Sequence, residues 1–452
     1  MDIIIMGCGK IGQTILASLL AEGHNVTAID TNADVIAEIT DIFDAMGVCG
    51  NGADCDTLTE AGVDHTDLFV AVTASDEMNM LACFVAKKMG AAHTIARIRN
   101  PEYNDNNLPF LRQNLMLDLS INPELLAARE LYNLLKIPSA VKLETFSRRR
   151  LEMAELRLKS DSPLCGLSLQ ELKKKYPANY LVCVVQREED VVIPDGSFVL
   201  QRGDRVGLTA APAELQKLLK LIGVQQRQAK NAMLLGASRT AYYLARMLLS
   251  SGSYVKVIER DRARCDAFSE ALPKAVVLHG DGARQETLTE EGLADMDAFV
   301  ALTGMDEENI LISFFAASQG VGKVIAKVNR PELGTIADKL GLDCIVSPRH
   351  IISGVLTQYV RALENSAGSS VETLYKLMDE RAEALEFTVR PDFRHTQIPL
   401  KEMPLKKNIL LAGILRGKKA IIPSGDDLLL PGDHVVVIAA GQRLQDLADI
   451  IR

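Results

Sequence analysis

The chain has 452 residues, 48% of them apolar and 24% charged, which is the balance of a folded globular protein rather than a disordered or fibrous one. That length exceeds the needs of a single core, so two to four domains are expected. A formal charge of -9 excludes the broad basic surface that a dedicated nucleic-acid binder needs. The eight cysteines, Cys8, Cys49, Cys55, Cys83, Cys165, Cys183, Cys265 and Cys344, form no C-x-x-C pair and have no histidine at metal-ligand spacing, which points away from a zinc module and toward a reduced compartment.

In chain order, the opening Asp2-Ile3-Ile4-Ile5-Met6 reads as a buried strand, because it is too short and too poor in basic residues for a secretion signal. A helix runs from the following glycine turn to Glu22 and is stopped by Gly23. Strands are expected at 26–29, 69–72 and 94–98 with helical patterns between them, and that alternation predicts a parallel sheet covered by helices on both faces. Asn122-Pro123 then supplies a cap and a proline at the first helical position of a connecting helix. Its apolar residues Leu125, Leu126, Leu131, Leu134 and Leu135 could pack on their own core or on another domain.

Beyond the connector, short strands at 181–185, 191–194 and 205–208 are broken by Asp-Gly and Gly-Asp turns, the pattern of a small α+β module. The basic clusters at 148–150 and Lys173 to Lys175 read as a solvated turn and a solvated helix face. No run approaches the roughly 20 apolar residues that span a bilayer, so any membrane connection is expected to go through a partner.

The whole arrangement repeats. Gly7 and Asp30 return as Gly236 and Glu259, both 229 residues on. Gly50-Asn51-Gly52-Ala53 returns as Gly280-Asp281-Gly282-Ala283, and Thr73, Asp76, Glu77 and Asn79 return as Thr303, Asp306, Glu307 and Asn309. Pro101-Glu102, Ile193-Pro194 and Gly203-Asp204 recur as Pro331-Glu332, Ile422-Pro423 and Gly432-Asp433, and a second connecting helix opens at Ser347-Pro348. The order is therefore A-B-A-B.

Gly7-Cys8-Gly9-Lys10-Ile11-Gly12 is a G-x-G-x-x-G turn between strand and helix, and Asp30 ends the next strand. Gly7 permits the tight turn, Gly9 lets a diphosphate approach the backbone, and Gly12 lets helix and strand pack closely. The helix N-terminus offers unpaired N–H groups and partial positive charge to the phosphate oxygens. Asp30 would accept from both ribose hydroxyls and repel a 2′-phosphate, favouring NAD over NADP. ATP and ADP carry the same ribose diol and diphosphate and stay open. In the second copy the turn reads Gly236-Ala237-Ser238-Arg239-Thr240-Ala241, so Ser238 brings a Cβ to the position where bare backbone would meet a phosphate.

Together, the glycine turn, Asp30, Gly50 to Asp54, Thr73-Ala74-Ser75-Asp76-Glu77 with Asn79, and Ala96 to Pro101 resemble the RCK (also called KTN) domain, and the B modules resemble its C-terminal companion. The resemblance covers essentially the full chain. It implies Rossmann-like RCK N-terminal domains at 1–136 and 230–365, followed by α+β RCK C-terminal domains at 140–223 and 371–452.

By that resemblance, Gly7 to Ile11 hold the diphosphate, Asp30 the ribose, Asn51 and Gly52 the adenine side, Thr73, Ala74 and Ser75 the far end, and Arg97 the phosphates or distal half. Gly236, Ser238 and Glu259 would form a second site, in which Ser238, Ala241 and Lys327 (in place of Arg97) depart from the pattern. For Thr73 and Asn79 a helix-capping role competes with ligand contact, and for Arg97 a surface ion pair. The implied function is a cytoplasmic, membrane-peripheral regulatory subunit that binds NAD or NADH, or ATP or ADP, and gates a Trk-type potassium-transporting membrane subunit as a homo-oligomer, a tetramer. An NAD-dependent oxidoreductase is the alternative. It would need a proton-transfer group and a substrate domain, and the seven histidines share no motif and read as surface or capping residues.

Overall fold

Ile3, Ile4 and Ile5 are all at most 1% exposed, so the first strand is apolar on both faces, as a parallel sheet sandwiched between helices requires. In the computed structural model, which describes all residues except 105–106, 138–139, 147–149, 160–161, 224–228, 343, 367–370 and 379–380, this strand is β1 (Asp2–Met6). It is joined by β2 (Asn25–Asp30), β3 (Met46–Cys49), β4 (Leu68–Ala71), β5 (His93–Arg97) and β6 (Leu119–Ile121). All pairs are parallel, in the order β3-β2-β1-β4-β5-β6. The order reverses between β1 and β4, which opens a crevice at the carboxyl ends of those strands. The expected strands are present, with β4 and β5 each starting one residue earlier. His24 is buried at 7% exposure rather than lying on the surface.

A second parallel sheet repeats the plan with β12 (Asn231–Leu235), β13 (Tyr254–Glu259), β14 (Val276–His279), β15 (Ala298–Ala301), β16 (Lys323–Lys327) and β17 (Ile345–Val346), in the order β14-β13-β12-β15-β16-β17. Two antiparallel sheets follow the connecting helices. One contains β7 (Lys142–Phe146), β8 (Leu151–Arg157), β9 (Tyr180–Arg187), β10 (Asp190–Val192) and β11 (Arg205–Ala210). The other contains β18 (Val371–Leu377), β19 (Ala382–Thr388), β20 (Ile409–Arg416), β21 (Lys419–Ile421) and β22 (His434–Ala440). Their orders are β10-β9-β11-β8-β7 and β18-β19-β22-β20-β21.

The recurring Gly-Asp turn has a structural cause. Asp204 and Asp433, 1% and 2% exposed, each hold an arginine of the adjacent hairpin, Arg187 and Arg416, at 2.8 Å, and accept a backbone N–H of their own turn. Lys173 to Lys175 are exposed on the helix Leu169–Lys175, as expected, whereas Arg148 of the other basic cluster lies outside the described residues.

The chain divides into two compact units, Met1–Arg129 with Ser347–Tyr359, and Glu130–Val346 with Val360–Arg452. In the first unit, Ile352, Leu356 and Thr357 of the helix Pro348–Ser366 are at most 1% exposed, and Thr357 Oγ1 is 3.4 Å from Ser18 Oγ. The second connecting helix thus packs on another domain. In the second unit the two antiparallel sheets share a core that includes Phe146, Leu151, Val184, Leu377, Ala384 and Val436. Across it Thr209 donates to Ala412 O and Tyr375 to Thr145 O, both at 2.8 Å.

One seam of that contact is charged. Lys142 Nζ lies 3.3 Å from Glu144 and donates to Lys376 O, while Glu155, 1% exposed, pairs with Arg205 at 2.9 Å. Burial, opposed by Lys142 and reinforced by Glu130, pushes the Glu144 carboxyl up to about 7. Burial alone would lower Lys142, but Glu144, Glu155 and Glu130 outweigh it and raise the ammonium to about 12. No helix among the described residues is long and apolar enough to cross a membrane.

Candidate nucleotide site

The glycine turn sits at the carboxyl end of β1, and its shape is enforced by contact. Gly7 has φ +92, and a Cβ there would lie 2.7 Å from Thr73 N. A Cβ on Gly12 would lie 2.1 Å from Gly7 O, so the helix Lys10–Ala21 meets the turn with no room for a side chain. At Gly9 nothing lies within 4 Å of the same position, so this backbone faces open space. No side chain caps the helix at Gly9, which leaves the N–H groups of its first turn facing the crevice.

In front of them is a cavity of ≈ 430 Å³, within the usual range for a small-molecule site. Of the expected residues, Gly7, Gly9, Lys10, Ile11, Asp30, Gly52, Thr73, Ala74 and Arg97 line it. Cys8, Gly12, Asn51 and Ser75 do not. Cys8 is buried, and desolvation and Asp30 push its thiol up to about 12. Asn51 turns its side chain onto Ala53 N at 3.1 Å, and Ser75 caps the helix Asp76–Met89 by accepting from Met78 N at 3.1 Å.

Asp30 has a second role that the motif does not announce. Its oxygens accept from Cys8 N at 2.7 Å and Asn32 N at 2.9 Å, tying the glycine turn to the end of β2. The Thr73 and Asn79 pair is also a brace: Asn79, fully buried, accepts from Thr73 N at 2.9 Å and Thr73 Oγ1 at 2.6 Å, and donates to Arg97 O at 2.9 Å.

At the far wall stand Arg97 and Arg99, the latter a lining residue that the motif reading passed over. Arg97 ends β5 and Arg99 follows two residues beyond it, a spacing that keeps extended backbone on one face and could have flagged Arg99. Arg97 Nη2 is 3.7 Å from Glu124 Oε1, with the two side chains 12% and 20% exposed. Arg99 donates to Ala74 O and lies 3.5 Å from Asp76.

The second copy keeps the frame and changes the surface. Glu259, one methylene longer than Asp30, makes the same two ties, to Ala237 N at 2.7 Å and Asp261 N at 2.9 Å, and is only 7% exposed. Gly236 keeps φ +93. Ser238 caps the helix Arg239–Ser250 with its own side chain, accepting from Ala241 N at 3.3 Å. One N–H of that first turn is thereby engaged within the chain. Lys327, in place of Arg97, donates to Leu302 O at 3.3 Å.

Fold and cavity together define a duplicated Rossmann-type chain in which each parallel-sheet domain carries a small antiparallel companion. The TrkA-N domain matches residues 3–117 and 232–348, and the TrkA-C domain matches 153–223 and 385–452. The chain therefore belongs to the family of the Trk system potassium uptake protein TrkA. It is 33% identical over 447 residues to the TrkA homolog 1 of Methanosarcina mazei, covering 97% of each chain. It is 32% identical over 453 residues to the homolog of Archaeoglobus fulgidus, covering 100% of both, and 29% identical over 448 residues to TrkA of Halomonas elongata, covering 98% and 96%. Among solved structures, the GsuK RCK domain superposes with a TM-score of 0.64 at 18% identity, covering 97% of this chain and 92% of that one. The GsuK channel bound to NAD gives a TM-score of 0.64 at 18% identity, covering 97% and 76%. Similarity at this identity speaks for the fold alone.

Proposed function

We propose that this chain is a non-catalytic regulatory subunit that binds an adenine nucleotide in its first Rossmann-like domain and thereby gates a Trk-type membrane potassium transporter. The observation that carries the reading is the uncapped helix N-terminus at Gly9 facing a cavity that Asp30 borders. Gly7, Gly9 and the first helical turn would hold a diphosphate, and Asp30, which keeps unused lone pairs beyond its two backbone ties, would accept from a ribose diol. NAD or NADH fits these groups, and ATP or ADP presents the same diol and diphosphate. Relatives named for potassium uptake, and an RCK neighbour described as bound to NAD, support the reading.

The coupling runs through Arg97. Its guanidinium faces the cavity and also pairs with Glu124, in the first turn of the helix Pro123–Lys136. Residues of that helix from Glu130 onward belong to the second compact unit. Any anion that draws Arg97 toward the cavity weakens its hold on Glu124, so ligand affinity and helix position are linked. In the second copy the corresponding residues, Lys327 and Arg349, carry like charge and form no such pair.

The gating assembly is a homo-oligomer, a tetramer, at the cytoplasmic face of the membrane. Calorimetric titration of the full chain with NADH, NAD, ATP and ADP tests the binding. Ion flux in vesicles carrying the Trk-type membrane subunit, with and without chain and nucleotide, tests the gating. Flux indifferent to both defeats the gating and leaves the binding standing. Substrate-dependent consumption of NADH in the presence of keto acids would favour an oxidoreductase instead.

A further inference from the structure

The two antiparallel modules differ where the second carries a pocket open to solvent. A cavity of ≈ 360 Å³ lies in the second module, and Arg390, Arg394, His395 and Arg452 are among its lining residues. The register between the modules is fixed by a shared turn, in which Gly166 donates to Leu200 O at 2.8 Å and Gln397 to Leu429 O at 3.0 Å. Both turn residues have positive φ. By that register His395 stands where the first module has Leu164, and Arg394 where it has Pro163.

In the first module this place is solid core. Leu164 is 3% exposed and belongs to one apolar cluster with Leu172, Leu218, Leu219 and Ile222. The helices Leu169–Lys175 and Pro212–Leu221 supply those partners. In the second module the corresponding helices shrink to the short turns Leu400–Glu402 and Leu447–Ile450, and Ala448 replaces Leu219. Less side-chain volume fills the space, and Arg394 and His395 stand on its wall beside the apolar Phe393, Leu447 and Ile451. The pocket is open to solvent, with Arg394, Ala448 and Arg452 of its lining exposed, so a dissolved ligand can reach it.

The arginines are fixed to different degrees. Arg452 is pinned through its backbone N–H to Pro404 O and through Nε to Leu405 O, both at 2.9 Å, leaving its terminal nitrogens to the cavity. Arg390 sits in a turn closed by Phe393 N at 3.2 Å. Arg394 makes no hydrogen bond or ion pair among the described residues. The His395 ring leans on Phe393 with centroids 5.7 Å apart, offering a flat, partly apolar floor. Two carboxylates border the site. Asp446 is engaged in capping, accepting from Ala448 N at 2.9 Å, and Asp392 is exposed.

We propose that this cavity of the second antiparallel module is a binding site for a small oxyanion-bearing organic ligand, distinct from the crevice of the Rossmann-like domains. Planar guanidinium forks recognise carboxylate and phosphate oxygens in the same bidentate manner, so both chemistries share the site's logic. The proposal does not depend on the nucleotide reading.

The test uses the full chain saturated with NADH, titrated calorimetrically with inorganic phosphate, AMP and citrate in separate arms. Saturable binding in the phosphate or AMP arm assigns a phosphate group, and binding in the citrate arm a carboxylate. In either case Arg394→Ser should weaken it by roughly 10-fold, the scale of one charged hydrogen bond. The ring proton resonances of His395, assigned by their loss in His395→Asn, should shift with the same saturation curve. Absence of saturable binding in all three arms overturns the proposal, as does binding that neither responds to Arg394→Ser nor moves the His395 resonances.

Discussion

The two Rossmann-like repeats share a strand order, a carboxylate tying the glycine turn to the second strand, and the Thr-Asn brace, yet only in the first does the helix after the glycine turn start without a side-chain cap. Asp30 and Glu259 make equivalent backbone bonds, and Asn79 and Asn309 donate to equivalent carbonyls at 2.9 Å. One difference lies at the helix start, where Gly9 leaves the N–H groups uncapped and Ser238 closes one of them, and another at the far wall, where Lys327 replaces Arg97. Most of a nucleotide-binding motif can therefore be kept by folding alone. The residues that discriminate are those whose presence the fold does not need.

The sharpest way to break that contrast is to give the first copy the second copy's cap. Gly9→Ser should cost about 3 kcal/mol of NADH affinity, roughly 100-fold, because a side-chain oxygen then competes for the phosphate's donors. Ser238→Gly should leave total binding nearly unchanged. Equal losses from the two changes in calorimetry would erase the distinction between the copies.

Asp30→Ala should weaken NADH by roughly 1.5–3 kcal/mol and also lower the melting temperature, since two backbone N–H groups lose their acceptor. Glu259→Ala should show the thermal effect without the affinity effect. If both variants lose only stability, Asp30 is a brace and nothing more.

The antiparallel modules extend the comparison, because Tyr375 stands in the strand position that Glu144 holds in the first. Glu144 is protonated more readily in the folded chain, with its carboxyl near 7 against an ordinary 4.5, so the native state binds more protons between those values. Stability should therefore fall as pH rises from about 4.5 to about 7, by roughly 1–2 kcal/mol once the side chain's 20% exposure is allowed for. Urea denaturation across that window should show the slope in the parent chain and lose it in Glu144→Gln.

The smallest effect belongs to the coupling pair. Glu124→Gln should tighten nucleotide binding by about 2- to 5-fold, the worth of a partly exposed ion pair, because Arg97 is no longer shared. Weaker binding in that variant would mean Glu124 orients Arg97 instead of competing for it.

Much of this could be read from the residues. Apolar alternation located the first parallel sheet because Ile3 to Ile5 can be buried only between two helical layers, and the G-x-G-x-x-G turn fixed where the crevice would open. The ends of strands were less legible, since His93 and Leu68 join their sheet through backbone pairing that side-chain pattern does not encode. Asn51 and Ser75 matched the motif yet satisfy local turns and caps, a competition between ligand and backbone that spacing cannot resolve. Arg99 lies in the matched stretch Ala96 to Pro101, two residues past Arg97, and only that spacing pointed to it. The buried charges at 130–155 were invisible for a different reason: their neighbours come from a module more than 200 residues away.

The helix Pro348–Ser366 carries a consequence for biosynthesis. Its first part is a component of the compact unit that begins at Met1, yet residues 130–346 separate the two pieces in the sequence. At roughly 5–20 residues per second, a ribosome needs on the order of 10–40 s to deliver the missing piece after Arg129 has emerged. During that interval the apolar face that later covers Ile352 and Leu356 has no cover from its own chain. A chain cut between the repeats should therefore be less soluble than its Rossmann sheet alone would suggest, because it lacks the segment that contributes the buried Ile352 and Leu356.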